Sequence, residues 1–512
     1  ASFSISPSTA CLACLPYTPG KAHMSFDAPL LVTFVAYLIL ILFLGIKAYR
    51  RTHSLDDYIL GGRKLGAVVT ALSVGASDMS GWLLLGLPGA IYLSGLSEVW
   101  IGIGLVLGAY CNWLFVSKRL RIYSHYANNS LTLPDYFENR FNDTTRVLRL
   151  VSAFVILLFF TFYTASGLVG GAILFENSFG LQYSTALISG GLIIVGYTFI
   201  GGFLAVAWTD AVQAVLMFLA LLVAPTVVIL NSGGTDVVWE QMQAVNPQST
   251  ELFSNMTVIG FVSLIAWGLG YFGQPHILAR FMAVENPQKL VAARRIAMVW
   301  MVLVLFGSVA TGLVGIAYFA DNPLENPETV FIALSQQLFN PWVAGIIIAA
   351  VLSAIMSTVD SQLLVSSSVI SEDFYRVFVR PQASEKELLM VSRGAVVAIA
   401  LLAMVIASDR ESRVLDLVSY AWAGFGAAFG PVIVFSLFWR SMTAASAIAG
   451  MIVGAVTVVV WSNLTGGLFD LYEIVPGFAL ASVVIVIVTM LKPASDSQAL
   501  NTFEEVEQLV KD

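Results

Sequence analysis

Thirteen stretches of this chain are long and apolar enough to cross a bilayer, and that feature decides most of what it can become. A hydrocarbon core takes about 20 apolar residues per helix. Runs of that kind lie near 29–49, 66–93, 99–117, 150–175, 184–204, 210–230, 257–273, 297–320, 341–370, 394–408, 415–439, 444–461 and 473–491, numbered spans one to thirteen. The chain is 58% hydrophobic and only 11% charged, against about 25% charged in soluble domains. So few charges cannot cover a water-soluble globule of 512 residues. A secreted or cytosolic globular protein and a disordered chain are excluded, and a net charge of −7 without a basic domain excludes a nucleic-acid binder. Three cysteines make no disulfide scaffold, and Cys11 and Cys14 lack the second pair or histidine cluster of a metal site.

Lys and Arg set the orientation. With the first loop placed in the cytoplasm, only Lys21, Arg410 and Arg413 of the 25 basic residues fall outside. The N-terminus is then external and the C-terminus cytoplasmic. Residues 1–23 lack the charged start and apolar centre of a signal peptide and are expected to be an upstream extension without function. The polar tail after Lys492 is too short for a kinase, nucleotide-binding or regulatory domain. No G-x-x-x-x-G-K-[ST] occurs, since Gly20-Lys21 is followed by Ala22, so a P-loop does not supply energy. A transporter of this kind must draw on an ion gradient. One cation crossing 100 mV yields about 2.3 kcal/mol, and a tenfold concentration ratio about 1.4 kcal/mol more. Together, roughly 3.7 kcal/mol sustains on the order of 500-fold accumulation of a neutral or zwitterionic solute.

Ionisable groups are expensive in lipid and therefore informative. Asp78 lies mid-span in Gly75-Ala76-Ser77-Asp78-Met79-Ser80-Gly81-Trp82. Small residues there weaken the helix and let carbonyls turn out of the ladder, so that carbonyls and a carboxylate could cage a cation such as Na⁺. The alternative is a buried Asp that caps a half-helix or bonds a neighbour. Span nine offers Ser357 and Thr358 near its middle, with Asp360 and Ser361 on adjacent positions; these complete a cation shell or act as helix–helix glue. Span seven reads Trp267-Gly268-Leu269-Gly270-Tyr271-Phe272-Gly273-Gln274-Pro275, and its glycines and proline predict an interrupted helix that ends before Pro275. Trp267 and Tyr271 share a face, either for a small amphipathic ligand or as an interface belt. Tyr163 sits mid-span in span four, where packing is the ordinary reading. Asp210 falls at the cytoplasmic edge of span six, as a helix cap, and Arg63 in the first inner loop, as plain positive-inside charge. His23, His53, His125 and His276 all fall outside spans or at their ends, and no nucleophile–base pair is readable, which argues against an enzyme.

Spans two and seven are five apart and enter from opposite sides. Interrupted helices at matching positions of two inverted units point to a midplane site. The expected architecture is an all-α polytopic membrane protein of about 13 transmembrane helices with a five-plus-five inverted-repeat (LeuT-like) core. Its divisions are 1–28 (external extension and lead-in), 29–65 (span one and first inner loop), 66–256 (first repeat), 257–443 (second repeat), 444–491 (spans twelve and thirteen) and 492–512 (cytoplasmic tail).

Seven motifs carry a resemblance. They are Asp57-Tyr58-Ile59-Leu60-Gly61-Gly62-Arg63, the Asp78 segment through Gly86-Leu87-Pro88-Gly89, Leu133-Pro134-Asp135-Tyr136-Phe137, Gly201-Gly202-Phe203 through Asp210, Trp267 through Arg280, Met356-Ser357-Thr358, and Ser419-Tyr420-Ala421-Trp422-Ala423-Gly424-Phe425-Gly426. From about Leu30 to Pro493 the chain resembles the sodium/solute symporter family. The resemblance implies a Na⁺ site made by backbone carbonyls of Ala76, Met79 and Ala354 and hydroxyls of Ser357 and Thr358, supported by Asp78 with Ser80 and Gly81. It implies a solute site lined by Tyr163, Trp267, Tyr271 and Pro275, with Trp82 and Gly86 close by, and cytoplasmic cycling roles for Arg63 and Asp210. A further cation site in some relatives corresponds to Asp210, Ser357, Asp360 and Ser361; those relatives carry Ser where this chain has Asp360, which puts the stoichiometry in question.

The resemblance also implies the activity: inward Na⁺ flow coupled to uptake of L-proline across a bacterial inner membrane. Na⁺ is the coupling ion, the lipid bilayer the medium, and the reading calls for no organic cofactor, nucleic acid or obligate protein partner. Two alternatives stand beside it: a symporter of the same family for pantothenate or another amino acid, and a solute sensor that binds without transport.

Overall fold

A backbone in lipid must satisfy its own polar groups, so continuous apolar runs become helices. A computed structural model describes residues 28–49, 55–198, 202–254, 256–494 and 496–511; the Cys11–Cys14 pair and the 1–23 extension lie outside them. Among the described residues ten helices are each long and apolar enough to span, two bent pairs add one span each, and the shorter helix Tyr183–Thr198 takes the place of span five. The expected thirteen are thus present in order.

The two breaks fall in the anticipated spans. Span two runs Ala67–Asp78 and then Trp82–Ser94, bent by 62°. Met79, with φ −83° and ψ 75°, leaves the helix there. Span seven runs Val258–Gly273 and Pro275–Met282, bent by 44°. Gln274 is extended (φ −78°, ψ 109°) because the following proline ring excludes the helical region, and Pro275 then starts the second half, where its missing N–H costs nothing.

Several boundaries differ from the sequence reading. Pro275 divides span seven rather than ending it, so His276 and Arg280 lie in a buried half-helix, not beyond the membrane segment. Span six begins at Phe203, which puts Asp210 two turns inside a helix whose N-cap is Gly202; Asp210 is fully buried and does not cap it. Spans eight and ten begin at Lys289 and Glu385, several residues earlier than their apolar cores. Hydropathy marks where lipid starts, not where hydrogen bonding does.

Glycine permits the closest crossing near the site. A Cβ on Gly108 of span three would lie 2.0 Å from the Gly268 carbonyl oxygen of span seven, and one on Gly268 would lie 2.3 Å from that of Gly104. Backbone meets backbone here, so nothing can swing aside. Span one lies outside this core yet hooks to it: the Tyr37 hydroxyl accepts from Gln213 Nε2 of span six (3.0 Å) and from Ser353 Oγ of span nine (2.8 Å). Gly108→Ala or Gly268→Ala should each cost about 1–3 kcal/mol by overpacking, seen as a lower thermal unfolding temperature in detergent. Gly102→Ala, whose added carbon meets nothing within 4 Å, should leave it unchanged.

Candidate functional site

The break in span two frees a carbonyl. The Ser80 amide turns to the Asp78 carbonyl (3.0 Å) instead of continuing the ladder onto Ala76. Two span-nine hydroxyls take its place: Ser357 Oγ lies 2.7 Å from the Ala76 oxygen and Thr358 Oγ1 3.3 Å from it. Ser357 Oγ also lies 3.1 Å from the Ala354 carbonyl oxygen. Two carbonyl and two hydroxyl oxygens are thereby gathered between spans two and nine, all in buried residues. Neutral hard oxygens suit a hard cation, and a hydroxyl that donates to a carbonyl can rotate to offer its lone pairs instead. Met79 is fully buried where the backbone leaves the helix.

Between Ala76 and Ser80, Asp78 is buried, and no basic group among the described residues bonds it. The Tyr271 hydroxyl donates to its Oδ2, while Oδ1 has no partner. The Asp78 carbonyl accepts from Trp82 Nε1 (3.2 Å) and from the Tyr163 hydroxyl (3.4 Å). Spans two, four and seven therefore meet at this residue. Trp82 and Trp267 approach to 6.4 Å between ring centroids, Trp267 stacks on Tyr472 at 5.4 Å, and Tyr271 meets the edge of Trp422 at 5.1 Å. The Ser80 hydroxyl accepts from the Trp82 amide (3.4 Å). Gly81 packs on Ile355 of span nine, whereas Gly86, at the far end of the π-helical segment Trp82–Gly86, packs on Leu415 of span eleven. Pro275 starts the inner half of span seven, buried beneath this group.

The groups that hold span seven open are side chains. Asn112 Nδ2 donates to the Tyr271 carbonyl (3.0 Å), Trp422 Nε1 to that of Trp267 (2.7 Å), and Gln274 Nε2 to those of Gly270 and Trp422 (3.2 and 3.3 Å).

A second buried polar group centres on the second half of span seven, and sequence reasoning missed its centre. Arg280 Nη2 lies 2.8 Å from Asp210 Oδ2 and 2.6 Å from Ser361 Oγ; its Nε donates to Ser73 Oγ (2.7 Å), which itself donates to Asp210 Oδ2 (2.6 Å). The structure brings Asp210 and Ser361 together, but through a guanidinium. Asp360 turns away to the Thr198 hydroxyl of span five and leaves Oδ2 without a partner. The signal for Arg280 was its place five residues after Pro275, had the helix been carried past the proline. Neighbouring His276 is fully buried with both ring nitrogens unpartnered, between Phe160 and Tyr163.

Arg63 does more than add charge to a loop. It donates to the carbonyls of Met282 (2.5 Å) and Ser130 (2.7 Å) and to Asn129 Oδ1 (3.0 Å), which ties the first inner loop to the inner ends of spans three and seven. The Met282 contact caps the C-terminal end of a half-helix with a cation, where the dipole favours it. Leu65 pairs with the strand-like segment at Val284 beside it.

The sequence profile of the sodium:solute symporter family matches residues 58–454. The chain belongs to that family. It is 55% identical over 500 residues to a sodium/proline symporter of Haemophilus influenzae, covering 95% of this chain and 99% of that one. It is 54% identical over 490 residues to a sodium/proline symporter of Escherichia coli, covering 94% and 97%. A solved Na⁺-coupled sialic acid symporter in a substrate-bound, outward-open state superposes with a TM-score of 0.78 at 18% identity, covering 92% of this chain and 99% of that one, a likeness of fold.

The Arg280–Asp210 pair has a measurable consequence. Asp210→Asn leaves a buried guanidinium uncompensated and should cost about 3–5 kcal/mol, read as a lower unfolding temperature. Combining it with Arg280→Gln removes both charges and should restore much of the loss; a double variant no more stable than the single one would show that the two are not coupled.

Proposed function

We propose that this chain is a secondary active symporter that couples inward Na⁺ flow to L-proline uptake across a bacterial cytoplasmic membrane, with its N-terminus outside and its C-terminus in the cytoplasm. The observation that carries the reading is the junction at the span-two break: a freed carbonyl faced by two hydroxyls, beside a buried carboxylate with one open oxygen, under a cluster of aromatic rings. The sodium/proline symporters that match it over nearly their whole length support the same solute.

In this reading Na⁺ binds first, from outside, to the carbonyls of Ala76, Met79 and Ala354 and the hydroxyls of Ser357 and Thr358. The hydroxyls exchange their bonds to Ala76 for lone pairs on the ion, so span nine is tied to span two through the cation. Asp78, with Ser80 and Gly81, links this event to the solute site. Proline lies against Trp267 and Tyr271, with Tyr163, Pro275, Trp82 and Gly86 around it, and its carboxylate meets half-helix N–H groups. Arg63 and Asp210 hold the cytoplasmic side until both ligands are aboard. Arg280 occupies the space between Asp210 and Ser361, which favours one coupling Na⁺ per proline over a further cation at Asp210, Asp360 and Ser361. One ion supplies about 3.7 kcal/mol, enough for a nutrient scavenger.

Purified protein in liposomes should accumulate radiolabelled proline under an imposed Na⁺ gradient, and choline in place of Na⁺ should abolish accumulation. Equal uptake in choline ends the reading, and preferential displacement by pantothenate or another amino acid reassigns the solute. Asp78→Asn should raise the Na⁺ concentration for half-maximal uptake at least tenfold; unchanged Na⁺ activation would leave Asp78 a structural residue.

A further inference from the structure

Beneath Pro275 lies a narrow apolar cavity of about 20 Å³, room for one water-sized sphere, bordered by Pro275, Ala279, Leu131, Thr132, Leu364 and Val369. Below it, on the cytoplasmic side, opens a vestibule of about 510 Å³ bordered by Leu131, Asp135, Arg146, Arg149, Glu372 and Arg376. The two spaces share Leu131 and are otherwise separate. Between them stand Thr132 and Asp373. Thr132 caps the helix Leu133–Phe141, accepting from the Asp135 amide (3.2 Å), and gives its proton to Asp373 Oδ1 (2.9 Å) across the gap.

Asp373 lies in the π-helical end of span nine, one turn past Val369, fully buried, with Oδ2 unpartnered. Its one cationic contact is Arg149 at the start of span four, 3.6 Å away. Arg149 also pairs with Asp135 and Glu138 of the capped helix. The connecting segment Asn129–Thr132 is thus pinned twice: by Arg63 at Asn129 and the Ser130 carbonyl, and by Asp373 at Thr132.

We infer that this neck is the cytoplasmic release gate, with the connecting segment Ser130–Thr132 as its moving leaf and Asp373 and Arg149 as positioning residues that latch it shut. The inference rests on the transport reading above. A solute held over Pro275 has the apolar cavity beneath it, and the leaf stands between that cavity and the vestibule. Parting the leaf from span nine breaks the hydrogen bond from Thr132 to Asp373. The long Arg149–Asp373 pair, which joins span four to span nine, remains to hold the carboxylate that the leaf has left. A latch of so few bonds suits an element that must open on every cycle. The charged vestibule then receives a zwitterion with groups of both signs.

The test uses the full chain with Cys11, Cys14 and Cys111 changed to Ser and a single Leu364→Cys, which borders only the inner cavity and is buried, in inside-out membrane vesicles. A membrane-impermeant maleimide applied from the cytoplasmic side reads how often the leaf opens. Asp373→Asn should raise the labelling rate at least fivefold. Thr132→Val, which keeps the side-chain shape and the Arg149–Asp373 pair, should raise it severalfold and serves where Asp373→Asn does not fold. Proline counterflow at saturating solute should survive in both, while the outside concentration for half-maximal uptake rises. Na⁺-driven proline uptake with labelling unchanged in both variants overturns the gate alone. Absence of such uptake in the unsubstituted chain overturns the transport reading, and the gate with it.

Discussion

A helix broken inside lipid has to be repaired by its neighbours, and this protein is organised around two such repairs. Each interruption strands backbone groups that water cannot reach. At span two the Ala76 carbonyl is met by Ser357 and Thr358, and the Asp78 carbonyl by Trp82 and Tyr163. At span seven the carbonyls of Trp267, Gly270 and Tyr271 are met by Trp422, Gln274 and Asn112. The residues that repair the breaks are therefore the ones that surround the site. In the proposed reading a cation or solute takes over part of the repair, which makes binding and helix geometry one event.

The two buried carboxylates nearest the breaks are treated differently, and the difference sorts their tasks. Asp210 has a counter-charge: Arg280 and Ser73 bond its Oδ2, and with Ser361 the group ties spans two, six, seven and nine together. Such a pair gains little net stability but is costly to halve, which makes it a fastener. Asp78 has a phenol on one oxygen and nothing on the other. A buried carboxylate that no basic side chain neutralises is costly to keep. In the proposed reading this missing counter-charge assigns the ligand-dependent chemistry to Asp78 and the mechanical hold to Arg280.

Much of this was legible from residues alone, for a definite reason. A lipid-length segment advertises itself, and Gly75, Ser77, Asp78, Ser80 and Gly81 inside one are anomalies that only a break explains. Span seven was half-read because a proline after a run of glycines looks like an end; in the structure Pro275 starts a second half-helix. That misreading removed His276 and Arg280 from the membrane, since a short helix with an arginine is buried only when a partner far along the chain neutralises it. Asp210 is that partner, 70 residues away. Thr132 and Asp373 are 241 residues apart, and no local pattern pairs them. Tyr163 came from family likeness; by residue chemistry it was one more aromatic in a helix.

In the proposed reading coupling follows from the sharing of one residue. Na⁺ at Ala76 would draw on the backbone just before Asp78, while the Asp78 carboxylate accepts from Tyr271, on the aromatic face proposed for the solute. A ligand on either side changes the shape or charge balance of the same short segment. Interaction through a shared element is reciprocal: whatever the ion adds to solute affinity, the solute adds to ion affinity, typically about 1–3 kcal/mol. Against a gradient of roughly 3.7 kcal/mol per ion, that coupling is large enough to bias the order of binding and too small to trap either ligand. Tight holding of Na⁺ alone would stall the cycle; a loose, cooperative grip lets the empty and the doubly loaded forms pass while the singly loaded one waits.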